Sequence, residues 1–368
     1  MAWQQKCKFL TSLEILYFVN ERNGHLVVFF ERDIAIDLGT SSIIVYVNGK
    51  GITLREPTVV AVDKHSGRLL KVGEDAQKML GRTPANIVSI YPITSGVISD
   101  YDMTVRMIKE LIQRITSFSL FKPRIIICVP GSISGVEERA TIDAGIEAGA
   151  RKVYLLESSV AAAMGAGADI TKPDGHMVVD IGGGTTEVGV VSLSGVVESE
   201  SIKTAGNAFD EAIVKYIRRK HNLLIGLRTA EEIKIRIGCA YPVQETSTEE
   251  VKGRCLMTGL PRSITIDTNE IAEALQEPIS TILDSVQIVL EKTPPELVAD
   301  ISKNGILLCG GGSLIPGLDK IIYAKTGIKV SMPDDPITCT AYGAGKLLNN
   351  LSDMEDGMIN LARKRQMK

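Results

Sequence analysis

Apolar residues along the chain follow two patterns that predict its secondary structure. Short continuous apolar runs, typical of buried strands, predict strands at 34–36, 43–47, 52–54, 124–129, 153–156, 177–179, 188–191 and 305–308. Apolar or small residues at helical spacing predict helices at 103–115, 137–150 and 160–167. Turns that contain Gly or Pro, such as Asn48-Gly49, separate these elements.

The pattern around Asp37 returns around Asp180. Each copy has an apolar strand, an Asp, an apolar residue, Gly, small hydroxyl residues and a second apolar strand, with the turns at 37–42 and 180–186. The copies lie too far apart for a solenoid, whose period is usually about 20–50 residues, so they suggest duplicated domains. A third Gly-rich turn, at 309–313, follows the strand predicted at 305–308.

Composition narrows the class of protein. The 368 residues suggest two or three domains, at roughly 100–200 residues each. Lys plus Arg number 41 and Asp plus Glu 44, a net charge of −3 that excludes a nucleic-acid binder working by bulk positive charge. Few aromatic residues (5%) and 34 Gly fit a folded α/β protein with several tight loops.

Cysteine, histidine and apolar runs exclude other classes. The most apolar runs, 26–30 and 125–129, are far shorter than the ~20 residues of a membrane-spanning helix and suit buried strands. The six Cys lie far apart without a Cys-x-x-Cys pair, and the four His are equally scattered. We therefore expect reduced thiols in a cytoplasm, with neither a disulfide framework nor a zinc site.

The first 32 residues differ from the rest and allow three interpretations. Apolar residues recur at helical spacing beside lysines, as in an amphipathic helix at a membrane surface: Trp3, Cys7, Leu10, Leu13 and Tyr17, with Lys6 and Lys8. A secretory-like segment is the second, although Glu14 interrupts the apolar positions and no small-residue cleavage site follows. The third is a disordered tail, or upstream sequence translated from a misassigned start.

The two matching turns have the chemistry of a phosphate clamp. A single Gly-rich turn can be a tight hairpin, but glycines also let consecutive backbone N–H groups approach phosphate oxygens. Asp37 and Asp180 would hold a hydrated Mg²⁺, which binds through one or two carboxylates and keeps several waters. Two turns facing each other across a cleft would grip a nucleoside triphosphate. The P-loop motif is absent, and the strand–turn–strand context excludes a Rossmann fingerprint.

These turns, together with 155–167 and 341–345, resemble the actin-like ATPase superfamily, and within it the bacterial rod shape-determining MreB family. Further similar stretches lie at 52–57, 96–101, 121–124, 290–298 and 310–318, so the resemblance covers about 29–351. It implies an α/β, actin-like fold with two duplicated domains, each a mixed sheet flanked by helices, and the nucleotide in the interdomain cleft.

The resemblance also implies a division of the chain. We expect an N-terminal extension at 1–32, domain I at 33–165 with an insertion at about 60–101, and domain II at 166–340 with an insertion at about 209–272. A return helix at 341–351 and a polar tail at 352–368 follow. The small residues at 161–167 and 341–345 are expected to let two helices cross closely as an interdomain hinge, although they also suit plain packed helices.

Nucleotide contacts are carried over from the family onto matching positions. They are the first phosphate loop (Thr40, Ser41, Ser42), the second (Gly183, Gly184, Thr185), the adenosine edge (Glu231, Glu232, Ile233, Lys234) and the turn beneath it (Cys309, Gly310, Gly311, Gly312). By itself, 231–234 would be a solvated helix face with a favourable ion pair, and Cys309 a small buried residue.

One departure from the family concerns hydrolysis. Where the family has Glu-Glu-Pro, this chain has Glu157-Ser158-Ser159, so Ser158 replaces the acid that orients the attacking water. Thr185 matches the other water-positioning residue, and Glu157 could substitute only if the backbone shifted. Serine is a poorer proton acceptor than a carboxylate, so we expect ATP binding with at most slow hydrolysis.

The resemblance implies an ATP-dependent cytoskeletal protein of the cytoplasm, whose filaments lie at the inner face of the membrane and guide wall synthesis. It implies a homopolymer, a membrane contact through Leu120 and Phe121, partners of the MreC, MreD, RodZ and RodA type, and no nucleic acid. The alternatives are a small-molecule kinase or a chaperone-type ATPase of the same superfamily. No segment indicates a sugar site, and only a short tail follows residue 351 where a chaperone has a substrate domain.

Overall fold

The computed structural model describes residues 15–19, 26–30, 33–80, 84–115 and 122–351. In this part of the chain the strands are β1 (Ile15–Val19), β2 (Leu26–Phe30), β3 (Ile34–Leu38), β4 (Ser42–Val47), β5 (Gly51–Pro57), β6 (Val60–Asp63), β7 (Leu69–Val72), β8 (Ile87–Ile90), β9 (Ile93–Thr94), β10 (Val97–Ile98), β11 (Arg124–Val129), β12 (Lys152–Glu157), β13 (His176–Ile181), β14 (Thr186–Ser192), β15 (Gly195–Ile202), β16 (Leu223–Leu224), β17 (Thr248–Cys255), β18 (Pro261–Asp267), β19 (Ile306–Cys309) and β20 (Val330–Ser331).

The helices of the same part are α1 (Glu74–Gln77), α2 (Tyr101–Ile115), α3 (Gly135–Glu147), α4 (Ser158–Gly165), α5 (Gly206–His221), α6 (Leu227–Ile237), α7 (Thr268–Lys292), α8 (Pro295–Asn304), α9 (Leu318–Thr326) and α10 (Cys339–Leu347). Short 3-10 helices lie at Gly311–Leu314 and Leu348–Asn350.

Two five-stranded mixed sheets repeat one topology. Their orders are β12-β11-β3-β4-β5 in domain I and β15-β14-β13-β19-β20 in domain II. In each sheet the central strand, β3 or β13, forms an antiparallel hairpin with the next strand in the chain. On its other side it pairs with a parallel strand, β11 or β19. The registers correspond too, because Asp37 lies opposite Cys128 and Asp180 opposite Cys309. The predicted duplication is confirmed.

Two smaller sheets extend the domains. The sheet β7-β6-β8 belongs to the chain between β5 and α2, and β16-β17-β18 to the chain between α5 and α7. Separate apolar cores fill the two domains, and a third cluster, rich in Ala and Cys, lies between the main sheets.

Several predicted elements begin or end elsewhere than expected. The helix predicted at 137–150 is α3, which begins earlier because Ser134 and Glu137 form a capping box. The helix predicted at 160–167 is α4, which begins directly after the extended residue Glu157. The amphipathic helix suggested by the spacing of residues 3–17 is wrong at its C-terminal end, because Tyr17 lies in strand β1. This strand has the apolar sequence ILYFV, which has high β propensity, and it pairs with β2. The rest of that pattern lies outside the described residues.

Helices α4 and α10 cross between the domains with almost no space between their backbones. A Cβ added to Gly343 would lie 1.9 Å from the carbonyl oxygen of Ala161, and one added to Gly165 would lie 1.9 Å from that of Cys339. The close crossing expected from the small residues is therefore present. Helix α4 follows β12 but contacts β13 and β14, and α10 contacts β3 and β4, so each helix connects both domains. No helix among the described residues is long and apolar enough to cross a membrane.

Candidate nucleotide site

A cleft of about 710 Å³ lies between the two domains, at the ends of the matched strands. Its lining includes most of the residues expected from the sequence: Asp37, Thr40, Ser41, Ser42, Ser158, Asp180, Gly183, Gly184, Thr185, Glu231, Lys234, Gly310, Gly311 and Gly312. Both Gly-rich turns therefore face one cavity, because duplication places them at the same end of two facing sheets.

The two turns touch each other. Ser41 Oγ donates a hydrogen bond of 3.1 Å to Asn207 Oδ1, which joins the domains at the cleft. A Cβ on Gly183 would lie 1.9 Å from Ser41 Oγ, and one on Gly184 would lie 2.3 Å from Thr40 Oγ1. Glycine is thus required here by the opposing turn as well as by the expected approach of phosphate.

Asp37, which is half-buried, and Asp180, which is buried, form an acidic pair. Burial raises the pKa of Asp37 to about 7, and repulsion from Asp180 adds to the effect. Burial likewise raises the pKa of Asp180 to about 6, although the hydrogen bond from Thr340 opposes this rise. Two carboxylates that resist ionisation together are suited to a divalent cation, whose charge offsets both their desolvation and their repulsion. The donor set fits the expected hydrated Mg²⁺.

The floor of the cleft is the turn that follows β19. Gly310 has φ +82°, and a Cβ there would lie 2.4 Å from Asp180 Oδ1, so only glycine fits this turn. Cys309 is fully buried and pairs with Asp180 through the strand register, which agrees with a structural role for this residue.

Helix α6 presents only some of its expected residues to the cleft. Glu231 and Lys234 line it, and Lys234 is held by Asp210 at 2.8 Å and by the carbonyl oxygen of Gly206 at 3.1 Å. Glu232 is exposed and paired with Arg228, and Ile233 is buried in the domain II core. These two therefore lie outside the cleft lining, because consecutive helical residues point in different directions.

Of the three residues considered for positioning the attacking water, two line the cleft and one does not. Ser158 and Thr185 line the cleft, and Ser158 Oγ donates a hydrogen bond of 3.1 Å to the carbonyl oxygen of Val129. Glu157 is only 6% exposed, accepts a hydrogen bond of 3.5 Å from Ser199 Oγ and lies outside the cleft lining.

Several residues that line the site were given no role from the sequence. Asn207 comes from a segment distant from the turns. Gly96 belongs to the stretch 96–101, which carries part of the family resemblance, and its N–H donates a hydrogen bond of 2.8 Å to Thr40 Oγ1. Thr340 reaches the site from helix α10. Glu187 could have been noticed, since it follows the second turn directly, and burial raises its pKa to about 7. Leu120 and Phe121, the expected membrane contact, lie outside the described residues.

Two duplicated α/β domains, with matched Gly-rich turns facing one interdomain cleft, define an actin-like protein. The profile of the MreB/Mbl protein family matches residues 31–356, and the chain belongs to this family.

Known relatives agree with this assignment. The chain is 46% identical to the cell shape-determining protein Mbl of Bacillus subtilis over 326 residues, which are 88% of this chain and 98% of the relative. It is 48% identical to the cell shape-determining protein MreB of Escherichia coli over 334 residues, 89% and 96% of the two chains. The crystal structure of MreB5 of Spiroplasma citri bound to ADP superimposes with a TM-score of 0.84 at 34% identity, covering 88% of this chain and 99% of that one.

Proposed function

We propose that this chain is an ATP-dependent cytoskeletal protein that polymerises into filaments beneath the membrane and determines cell shape by guiding cell-wall synthesis. The observation that carries the proposal is the contact between the two Gly-rich turns across the cleft, within a chain of the MreB/Mbl family. The hydrogen bond from Ser41 to Asn207 of α5 joins the domains beside it. A ligand bridging both turns would fix the angle between the domains, and a fixed angle favours one mode of assembly.

The ligand we propose is ATP with Mg²⁺. Bound ADP in the related MreB5 supports an adenine nucleotide, and the Gly-rich turns suit its phosphates. Asp37 and Asp180 would hold the Mg²⁺, whose charge would balance the phosphates and both carboxylates. Glu231 and Lys234 would edge the nucleoside, with Gly310, Gly311 and Gly312 beneath it.

Hydrolysis is proposed to be slow. Ser158 faces the cleft where the family has a water-orienting Glu, and its hydroxyl donates to a carbonyl oxygen rather than accepting a proton. A positioned general base usually contributes about 10²–10⁴-fold, so the rate should be ~10²-fold or more below that of Glu-bearing relatives. The contacts to the membrane and to MreC, MreD, RodZ and RodA type partners are proposed on family membership.

Sedimentation tests the proposal. Pelleted protein should rise with ATP and Mg²⁺ above a critical concentration, and should not rise without nucleotide. Gly183→Ala should abolish the response, because its Cβ would collide with Ser41, whereas Gly135→Ala, with nothing within 4 Å, should retain it. A protein that stays monomeric in every condition and phosphorylates a sugar would instead be a kinase of the superfamily.

A further inference from the structure

We infer that Glu187 is the carboxylate that orients the attacking water in this chain and accepts its proton, in the place left by the serine at position 158. The inference rests on the proposed ATP binding and extends it to the residue that supports the remaining hydrolysis.

The neighbouring candidates are already engaged or lie elsewhere. Ser158 donates its hydroxyl hydrogen to Val129, and Glu157 is directed to Ser199, outside the cleft lining. Asp37 and Asp180 are the proposed cation ligands. Among the described residues of the lining, Glu187 is thus the carboxylate nearest in sequence to Thr185, the expected water-positioning residue.

Glu187 is rigidly held and still has capacity to accept hydrogen bonds. Ser201 Oγ donates to Glu187 Oε1 at 2.6 Å, and the backbone N–H of Gly131 donates to Oε2 at 3.2 Å. A carboxylate has about four lone-pair sites, so each oxygen keeps one for a water in the cleft. The two donors come from different domains, because Gly131 follows β11 of domain I and Ser201 lies in β15 of domain II.

The cross-domain support links the position of Glu187 to cleft closure. The strand register places Glu187 opposite Asp180 on the neighbouring strand. A phosphate held at the second turn would therefore lie beside it. An opening of the domains would withdraw the Gly131 donor and release one oxygen. The carboxylate therefore has both of its donors only while the domains are closed.

The reaction balances without a further reactant. The water oxygen forms a bond to the γ-phosphorus, the bond from that phosphorus to the bridging oxygen breaks, and its electron pair stays on the β-phosphate of ADP. The water proton moves to Glu187 and leaves with the released phosphate or with solvent.

Single-turnover hydrolysis of ATP with Mg²⁺ tests the inference. Glu187→Gln keeps the shape: its amide oxygen can accept from the Gly131 N–H, and its amide nitrogen can donate to Ser201 Oγ. ATP affinity should therefore change less than about twofold while the hydrolysis rate falls by ~10-fold or more. Glu157→Gln is the matched control and should leave the rate within about twofold of the parent.

A rescue separates water activation from support of the fold. Ser158→Glu should raise the rate, and Glu187→Gln added to that variant should then cost less than about threefold, since the family's acid is restored. The inference would be overturned if Glu187→Gln lowered the hydrolysis rate equally in the parent and in the Ser158→Glu variant, or if it lowered the rate in neither. If Glu187→Gln is unstable, Ser201→Ala provides the second test: the rate should fall while ATP affinity holds, and an unchanged rate would overturn it. Absence of ATP binding in the parent would instead refute the proposed function.

Discussion

Thr340 donates a hydrogen bond of 2.8 Å from its hydroxyl to Asp180 Oδ2, and this bond joins helix α10 to the carboxylate at the floor of the cleft. Both residues are buried, and α10 also contacts strands β3 and β4 of domain I. A change of charge at Asp180 therefore alters a hydrogen bond to α10, a helix that connects the domains.

Thr340→Val should destabilise the protein by about 1–3 kcal/mol, because the valine keeps the shape but leaves a buried carboxylate oxygen without its donor. The loss should be larger at pH 8 than at pH 5, since the pKa of Asp180 is about 6 and the ionised form needs the donor most. Urea unfolding at both pH values measures it. The control, Thr338→Val, removes an exposed bond to Asp335 and should cost less. Equal losses for both variants would contradict the prediction.

Gly343→Ala should cost about 1–3 kcal/mol or more, because its Cβ would meet the carbonyl oxygen of Ala161 and force α4 and α10 apart. Gly135→Ala has open space and should be neutral or stabilise by about 0.4–1 kcal/mol. Thermal unfolding of both variants checks the contrast. Similar melting temperatures for the two variants would mean that α4 and α10 can move apart at little cost in stability.

The nucleotide-free protein should lose stability as the pH rises from about 4 to about 7. The pKa of Asp37 is raised from 3.8 to about 7, so in this window the folded state keeps a proton that the unfolded state has released. Folding is therefore favoured most at the acid end, and the contribution is lost as Asp37 ionises.

Asp37→Asn should flatten this dependence and be more stable than the parent at pH 8, as urea unfolding across the pH range would show. Asp319→Asn, an exposed change on α9, should follow the parent curve. A parent and an Asp37→Asn curve of the same slope would refute the assignment.

Replacing Leu120 and Phe121 with Ser should abolish co-sedimentation with anionic vesicles and leave ATP binding unchanged, because apolar residues close in sequence to cationic ones suit the interface of an anionic membrane. Val136→Ser with Leu193→Ser, which removes two exposed apolar side chains elsewhere, is the control and should keep vesicle binding. Unchanged binding after the first pair of substitutions would direct attention to residues 1–32.

The sequence alone was sufficient for the strand–turn–strand units and their duplication. Asp37 and Asp180 follow short apolar strands, and the Gly-rich turns after them have a local signature, so both the matched sheets and most of the cleft lining could be predicted. Local pattern works here because strand register and turn conformation depend on neighbouring residues.

The hydrogen bonds between distant segments were decided by the tertiary structure alone. Asn207 meets Ser41, Thr340 meets Asp180, and Gly131 meets Glu187, each through a hydrogen bond between parts of the chain that no local pattern connects. The family resemblance placed Ser158 rather than Glu157 at the site, but the physical reason lies in the tertiary structure. The direction of each side chain at the start of α4 follows from how that helix packs between the domains.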